Sequence, residues 1–221
     1  MLLAQQRRIS PDLKTVLKSL VCLFKEPGNL DYVYDLEDGL RKTKANSLVL
    51  DWLKTQPEVA QLIQERYIAP IPDIEKLLQY PEGSLGYAYA SYIKKSGFDP
   101  GFYRQIQVED DISYVLLRTR QTHDIWHVIT GFNTDGPGEI GLKAFEIAQT
   151  RRNLAVALVA VALLLTLIKA PDVLPDLLEQ ITLGYKMGSK VKPLFAQKWE
   201  EHWDKPLYQW RTELGIEPIF S

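Results

Sequence analysis

One cysteine and three histidines are all that 221 residues offer of the side chains most used in redox and soft-metal chemistry. Cys22 excludes an intrachain disulfide. Its setting, Leu20-Val21-Cys22-Leu23-Phe24, reads as a small buried hydrophobe rather than a nucleophile, and it fits a reducing compartment. A basic excess is lacking too. Lys and Arg number 26 against 28 Asp and Glu, a net charge of −2, so the basic face of a dedicated nucleic-acid binder is not expected. No apolar run is long enough to cross a bilayer. The longest, Leu154 to Ile168, has Thr166 as its only polar residue. As a helix it spans about 22 Å, against a hydrocarbon core of about 30 Å. The N-terminal Met1 to Arg8 carries charges with no apolar core behind them, unlike a signal peptide. The chain is expected to be cytoplasmic and bacterial. Internal repeats, low-complexity runs and a clear domain boundary are also missing.

What is present is helical signal. Ser10-Pro11 caps a helix with apolar positions at Leu13, Val16, Leu17, Leu20, Val21 and Phe24, stopped by Pro27-Gly28. Further helices are predicted near Leu30 to Arg41, Ser47 to Thr55, Pro57 to Arg66 and Asp73 to Gln79, and from the Pro81–Ser84 cap to Gly97. Gln105-Ile106-Gln107-Val108 reads as a short strand without an evident partner. A helix from Asp110-Asp111 ends before Gly131. The next is opened by Glu139 beyond a loop dense in turn residues. Leu154 to Ile168 is expected as a central helix buried on all sides, with an apolar wall for a lipid tail, or a membrane-contacting face, as the sharper reading. The tail holds helices near Asp176 to Lys186 and Pro206 to Leu214, with Gly215 as C-cap. The predicted fold is an all-α, single-domain helical bundle over 1–221, with N-terminal helices in 1–68 and a core in 69–221.

Two of the three histidines stand four apart, in His123-Asp124-Ile125-Trp126-His127, and Glu139 follows after eleven residues. On a helix, positions i and i+4 share a face, so His123 and His127 can grip one ion and Glu139 can complete its shell. Zinc takes this N/O donor set. Asp124 stands where HExxH metalloproteases keep their base, but its arm is shorter. It is a base acting through water, a fourth ligand, or a group supporting a ligand. No further glycine-histidine segment follows to make a metzincin, and a second ligand cluster for a phosphate hydrolase is missing. The alternative, an ordinary His–Asp salt bridge, leaves unexplained why the pair, the aspartate, the turn-rich loop and Glu139 coincide. Arg120, three residues before His123, is expected near the same face as a clamp for a carboxylate or phosphate. Arg118 is expected as a solvated arginine paired with an acid. Asp135 is a turn former or a functional group, and His202 is ordinary packing or surface rather than a ligand.

The pattern HDxxH-x11-E resembles the coenzyme Q biosynthesis protein 4 family of ubiquinone biosynthesis. The likeness extends through Leu85-Gly86-Tyr87-Ala88-Tyr89, Asp110 to Val115, Arg118 to Asp124, Gly138-Glu139 and Gly184-Tyr185-Lys186-Met187-Gly188 to Trp199-Glu200 and Pro206 to Arg211. The resemblance implies an all-helical protein that binds a divalent metal, zinc first and Mg2+ as the alternative, through His123, Asp124, His127 and Glu139. It implies C1 decarboxylation of a polyprenylated hydroxybenzoate, or a non-catalytic prenyl-lipid scaffold that organises other quinone-biosynthesis enzymes. Contact with the membrane would be peripheral, at its inner face. A long apolar groove suits an isoprenoid lipid, and Tyr87, Tyr89 and Tyr92 with Leu154, Leu158 and Val161 are its expected walls. The apolar helix equally suits a homodimer seam. Asp124 and Arg120 are the expected catalytic residues.

Overall fold

A computed structural model describes residues 11–41 and 43–219; the expected cap Ser10 lies outside them. Eleven α-helices follow one another among these residues: α1 (Pro11–Lys25), α2 (Leu30–Arg41), α3 (Lys44–Lys54), α4 (Pro57–Glu65), α5 (Ile74–Leu77), α6 (Leu85–Ser96), α7 (Asp111–Thr130), α8 (Gly136–Thr150), α9 (Asn153–Lys169), α10 (Leu174–Gly188) and α11 (Leu207–Leu214). The all-α single domain of the sequence reading is what the chain forms. The segment 105–108 is not a strand. The one β-type pairing among the described residues is an isolated bridge between Ser84 and Pro206. Four extended residues gain no ladder hydrogen bonds without a neighbouring strand, so local β-propensity at Ile106 and Val108 has nothing to pair with.

Local chemistry sets the helix ends that matter for function. Asp110 and Ser113 form a reciprocal capping box at the start of α7, and Gly131 ends it with φ at 83°. Asp135 is the N-cap of α8, its carboxylate accepting from the Gly138 N–H. That settles Asp135 as a turn and cap residue. It also starts α8 one turn earlier than the sequence reading placed it, so Glu139 lies within the first turn rather than at its head.

Two apolar clusters hold the bundle. The larger gathers α3, α4, α6, α7, α8 and the C-terminal segment around Tyr89, Trp126, Phe145, Trp199 and Trp210. The smaller packs the α1–α2 hairpin onto α9 through Val16, Leu23, Leu36, Leu154, Val161 and Leu165, with Leu158 against it. α8 packs most extensively on α10. Their backbones meet at Gly184, where a Cβ would sit 2.0 Å from the Gly141 carbonyl oxygen, a distance that only glycine tolerates.

α9 is not buried on all sides. Val156, Leu164, Leu167 and Ile168 are exposed, Ile168 at 68%, while Leu154, Ala155, Val159, Val161 and Leu165 face inward. A helix apolar around its whole circumference gives no periodicity from which to read its solvent face, and its place at the bundle surface decides that face instead.

Candidate metal centre

α7 and α8 meet at a corner, and the corner brings the motif together. His123 and His127 lie one turn apart on α7, their ring centroids 4.8 Å apart and nearly perpendicular. The loop 131–135 is compact: a Cβ on Gly138 would lie 2.4 Å from the Asn133 carbonyl oxygen. This tight reversal presents the first turn of α8 to the histidines. His127 Nε2 lies 3.1 Å from Glu139 Oε1, and His123 Nε2 lies 3.5 Å from Glu139 Oε2. One ligand atom from each of His123, His127 and Glu139 falls within 4.8 Å of the others, a grouping that could hold a metal ion.

The His127 ring explains why a cation suits the place. Its Nδ1 sits 2.9 Å from the Phe132 carbonyl oxygen, to which an Nδ1–H donates. The Nε2 lone pair then faces the Glu139 carboxylate, and Nε2 is buried with no hydrogen-bond partner. A lone pair opposed to an anion is unfavourable unless a cation or proton stands between them. Backbone orientation of the far ring nitrogen is also how metal-ligating histidines are commonly held. Around a tetrahedral zinc with bonds of about 2.0–2.1 Å, ligand atoms stand about 3.3 Å apart. The 3.1 and 3.5 Å separations lie near that value but run to different oxygens of Glu139. With one atom taken from each residue the group spans up to 4.8 Å, so the side chains would close in on an ion. Two imidazole nitrogens and a carboxylate are a donor set that zinc takes.

Burial, helped by the Lys143 charge, lowers the His123 pKa, although Glu139 opposes this. Burial alone would raise the Glu139 carboxyl, but the closeness of His123 and His127 holds it far below the usual carboxylate range. The His127 ring stacks on Tyr92, with centroids 5.9 Å apart. Tyr92 keeps its phenolic proton: burial first, then Asp124 and Glu139, push its pKa well above the ordinary value. Its hydroxyl is buried without a partner.

The other expected site residues are placed differently. Asp124 is not part of the three-ligand group; its charge is felt by Tyr89 and Tyr92. Arg120 is held by Glu37 of α2, donates to the Arg104 carbonyl and stacks over the Tyr34 ring. Its side chain is 8% exposed. A guanidinium so engaged is not offered to a ligand beside His123. Arg118 is not solvated: it is fully buried and forks onto Glu200 at 2.6 and 2.9 Å. That pair ties the C-terminal segment to α7. His202 is exposed and lies near the Trp210 ring. The expected lipid wall is divided. Leu154, Leu158 and Val161 belong to the contacts of α9 with the N-terminal hairpin, whereas Tyr89 and Tyr92 belong to the larger cluster. Tyr87 is half-buried on α6. Only a small pocket, with room for about one water, lies by Tyr89, Tyr103, Gln121 and the prolines 70, 72 and 100.

Sequence reasoning overlooked Lys143 and Glu146. Both follow Glu139 at helical spacing and share its face of α8, which was the available signal. Lys143 Nζ lies 3.5 Å from His123 Nδ1 and 3.0 Å from Glu146 Oε2. Glu146 also binds Arg152 at 2.7 Å, and Arg152 in turn binds Glu37. Burial would raise the Glu146 carboxyl, but Lys143 and Arg152 outweigh it and hold the group down at about 2. A chain of buried charge thus runs Lys143–Glu146–Arg152–Glu37–Arg120, from the candidate metal centre to the N-terminal hairpin.

Comparison with known proteins gives one family. A profile described as "Coenzyme Q (ubiquinone) biosynthesis protein Coq4" matches residues 13–219. The mitochondrial ubiquinone biosynthesis protein COQ4 of Coprinopsis cinerea is 29% identical over 192 residues, 82% of this chain and 64% of that protein. The mitochondrial COQ4 homologue of Rattus norvegicus is 31% identical over 172 residues, 76% of this chain and 64% of its own. The chain thus spans just under two thirds of these curated relatives. A crystal structure of a candidate ubiquinone biosynthesis protein from Nostoc punctiforme PCC 73102 superposes with a TM-score of 0.85 at 37% identity, covering 92% of this chain and 98% of the other.

Proposed function

Because the chain belongs to the coenzyme Q (ubiquinone) biosynthesis protein Coq4 family, we propose that it acts in quinone biosynthesis as a metal-dependent decarboxylase of a polyprenylated hydroxybenzoate. The observation that carries this reading is the orphaned His127 Nε2 facing Glu139 at 3.1 Å, a donor set in want of a cation. His123, His127 and Glu139 would hold the ion. A divalent ion held there supplies Lewis acidity toward a ring oxygen.

The chain's own groups account for the rest. His127 is fixed by the Phe132 carbonyl, so its ligating nitrogen is oriented in advance. Tyr92 presents an unpartnered phenolic O–H beside the His127 ring, available to donate to a ligand oxygen. In a non-oxidative decarboxylation the bond between C1 and the carboxylate breaks, its electron pair stays at C1, and a proton is delivered there. Asp124, close enough to influence Tyr92, is our candidate for handling that proton. The His127→Ala variant is expected to lose bound metal and turnover together. Wild-type turnover in protein freed of metal would sink the proposal.

A second reading has its own support. The apolar α9 leaves Val156, Leu164, Leu167 and Ile168 exposed, and among the described residues no helix is long and apolar enough to cross a membrane. A peripheral scaffold that holds an isoprenoid lipid against the inner face of a membrane, beside other quinone-biosynthesis enzymes, would use such a surface. Native mass spectrometry for co-purified prenyl lipid, with a decarboxylation assay on the same sample, separates the two. Lipid without turnover favours the scaffold. Carbonate washing tests the peripheral attachment, which predicts release.

A further inference from the structure

We infer that Lys143 is the anion-binding residue of the metal centre, taking the carboxylate of an aromatic head group that reaches the ion. The inference rests on the proposed metal site and names the group that recognises its ligand.

Three observations carry it. Position is the first. Glu139 and Lys143 are one turn apart on the same face of α8, and Lys143 Nζ reaches to 3.5 Å from His123 Nδ1. An ammonium is thus built into the rim of the triad, where the sequence reading had placed Arg120. Arg120 itself is turned toward Glu37.

Charge balance is the second. The buried chain Lys143–Glu146–Arg152–Glu37–Arg120 holds three cations against two carboxylates. Arg152 sits between both acids, and Arg120 has Glu37. Lys143 stands at the end of the chain with Glu146 as its one acidic partner among the described residues, and Glu146 is shared. Its side chain, 16% exposed, is also the most open of the five. Glu139, one turn from Lys143, evens this count before any ion is added, but an ion held by Glu139 and the histidines would bring its own positive charge. Buried charge is costly unless balanced, so the loaded site favours an anion at the Lys143 end.

Hydrogen bonding is the third. An ammonium carries three donors and no acceptor. One goes to Glu146, and one faces His123 Nδ1, which can accept it only when the ring proton is on Nε2. If Nε2 is a ligand, the proton belongs on Nδ1 and two donors face each other. Lys143 must then turn that donor elsewhere, and a ligand carboxylate is the natural acceptor. Metal and anion are thereby coupled: loading the site releases the lysine donor that the anion needs.

The test uses the full chain loaded with zinc, and two probes of one shape, 4-hydroxybenzoate and the uncharged 4-hydroxybenzamide, titrated by calorimetry. Wild type is expected to bind the carboxylate at least ~10-fold tighter than the amide, one charge-assisted contact. Lys143→Gln should bring the ratio close to one with zinc content unchanged, and Lys143→Arg should restore most of it. A wild-type-like ratio in zinc-loaded Lys143→Gln overturns the inference, as does a wild type that does not discriminate. A wild type that holds no zinc fails the metal reading itself and is recognised as such before any probe is added. A second measurement needs no variant. Reductive methylation of Lys143 in the zinc-loaded wild type, mapped by peptide mass, should be slowed by 4-hydroxybenzoate and not by the amide. Equal labelling with both probes overturns the inference.

Discussion

Replacing Glu146 by glutamine removes one carboxylate from the middle of the buried charge chain, and its cost can be worked out. The carboxyl is held at about 2 against an ordinary 4.5, because Lys143 and Arg152 overcome the effect of burial. A depressed carboxyl stabilises the folded state fully above its unfolded pKa and loses that contribution as pH falls toward the folded one. A shift of this size corresponds to about 3 kcal/mol at neutral pH, with about 1 kcal/mol of it gone by pH 3.5. The side chain is 2% exposed, so solvent screening does not erode the figure much. Removing one member of a buried ion pair costs a similar ~3–5 kcal/mol. For a domain of this size, melting should drop by roughly 6–12 °C at pH 7. The assay is paired thermal melting of wild type and Glu146→Gln from pH 7 down to 3.5. The gap should narrow steadily on acidification. A gap under 2 °C at pH 7, or one that stays constant to pH 3.5, would refute the reasoning.

Three further outcomes are expected. Zinc in 100-fold excess over its dissociation constant should stabilise the protein by about 2.7 kcal/mol, so melting should rise by roughly 5–10 °C and return on chelation; identical melting curves with and without zinc would count against the centre. Gly184→Ala places a methyl 2.0 Å from the Gly141 carbonyl oxygen, and forcing α8 from α10 should cost about 3 kcal/mol or more, measured by urea denaturation. Tyr92→Phe deletes a buried hydroxyl that has no partner, so it should leave stability unchanged or raise it by up to ~1 kcal/mol while weakening phenol binding to the zinc-loaded protein; a clear loss of stability would mean the hydroxyl already has a structural bond.

The helices were legible in the sequence because their ends carry local chemistry. Ser84, Asp110 and Gly215 act at the ends they were expected to mark. The grouping of His123, His127 and Glu139 was legible for a similar reason: helical spacing on α7 and a forced reversal leave Glu139 few places to be. What could not be read was long-range pairing. Arg120 carries the same local sequence whether it faces a ligand or Glu37, 83 positions away, and only tertiary packing chooses between them. The same is true of Arg118, whose partner Glu200 lies 82 positions on. α9 shows the opposite failure. Its uniformly apolar sequence carries no orientation at all, so nothing in it could show that Leu167 and Ile168 face outward.

The glycine contact between α8 and α10 bears on how the centre could move. With Gly184 against the Gly141 backbone, those two helices form a weld of main chain on main chain, with no room for a side chain between them. α7 meets α8 over a much smaller area. The weld carries Glu139 and Lys143, and α7 carries both histidines. An ion between them would act as a pin through a hinge, and opening the site means swinging α7 against a fixed pair of helices. Amide exchange on loss of the ion should therefore quicken along 120–135 and leave the α8–α10 seam untouched.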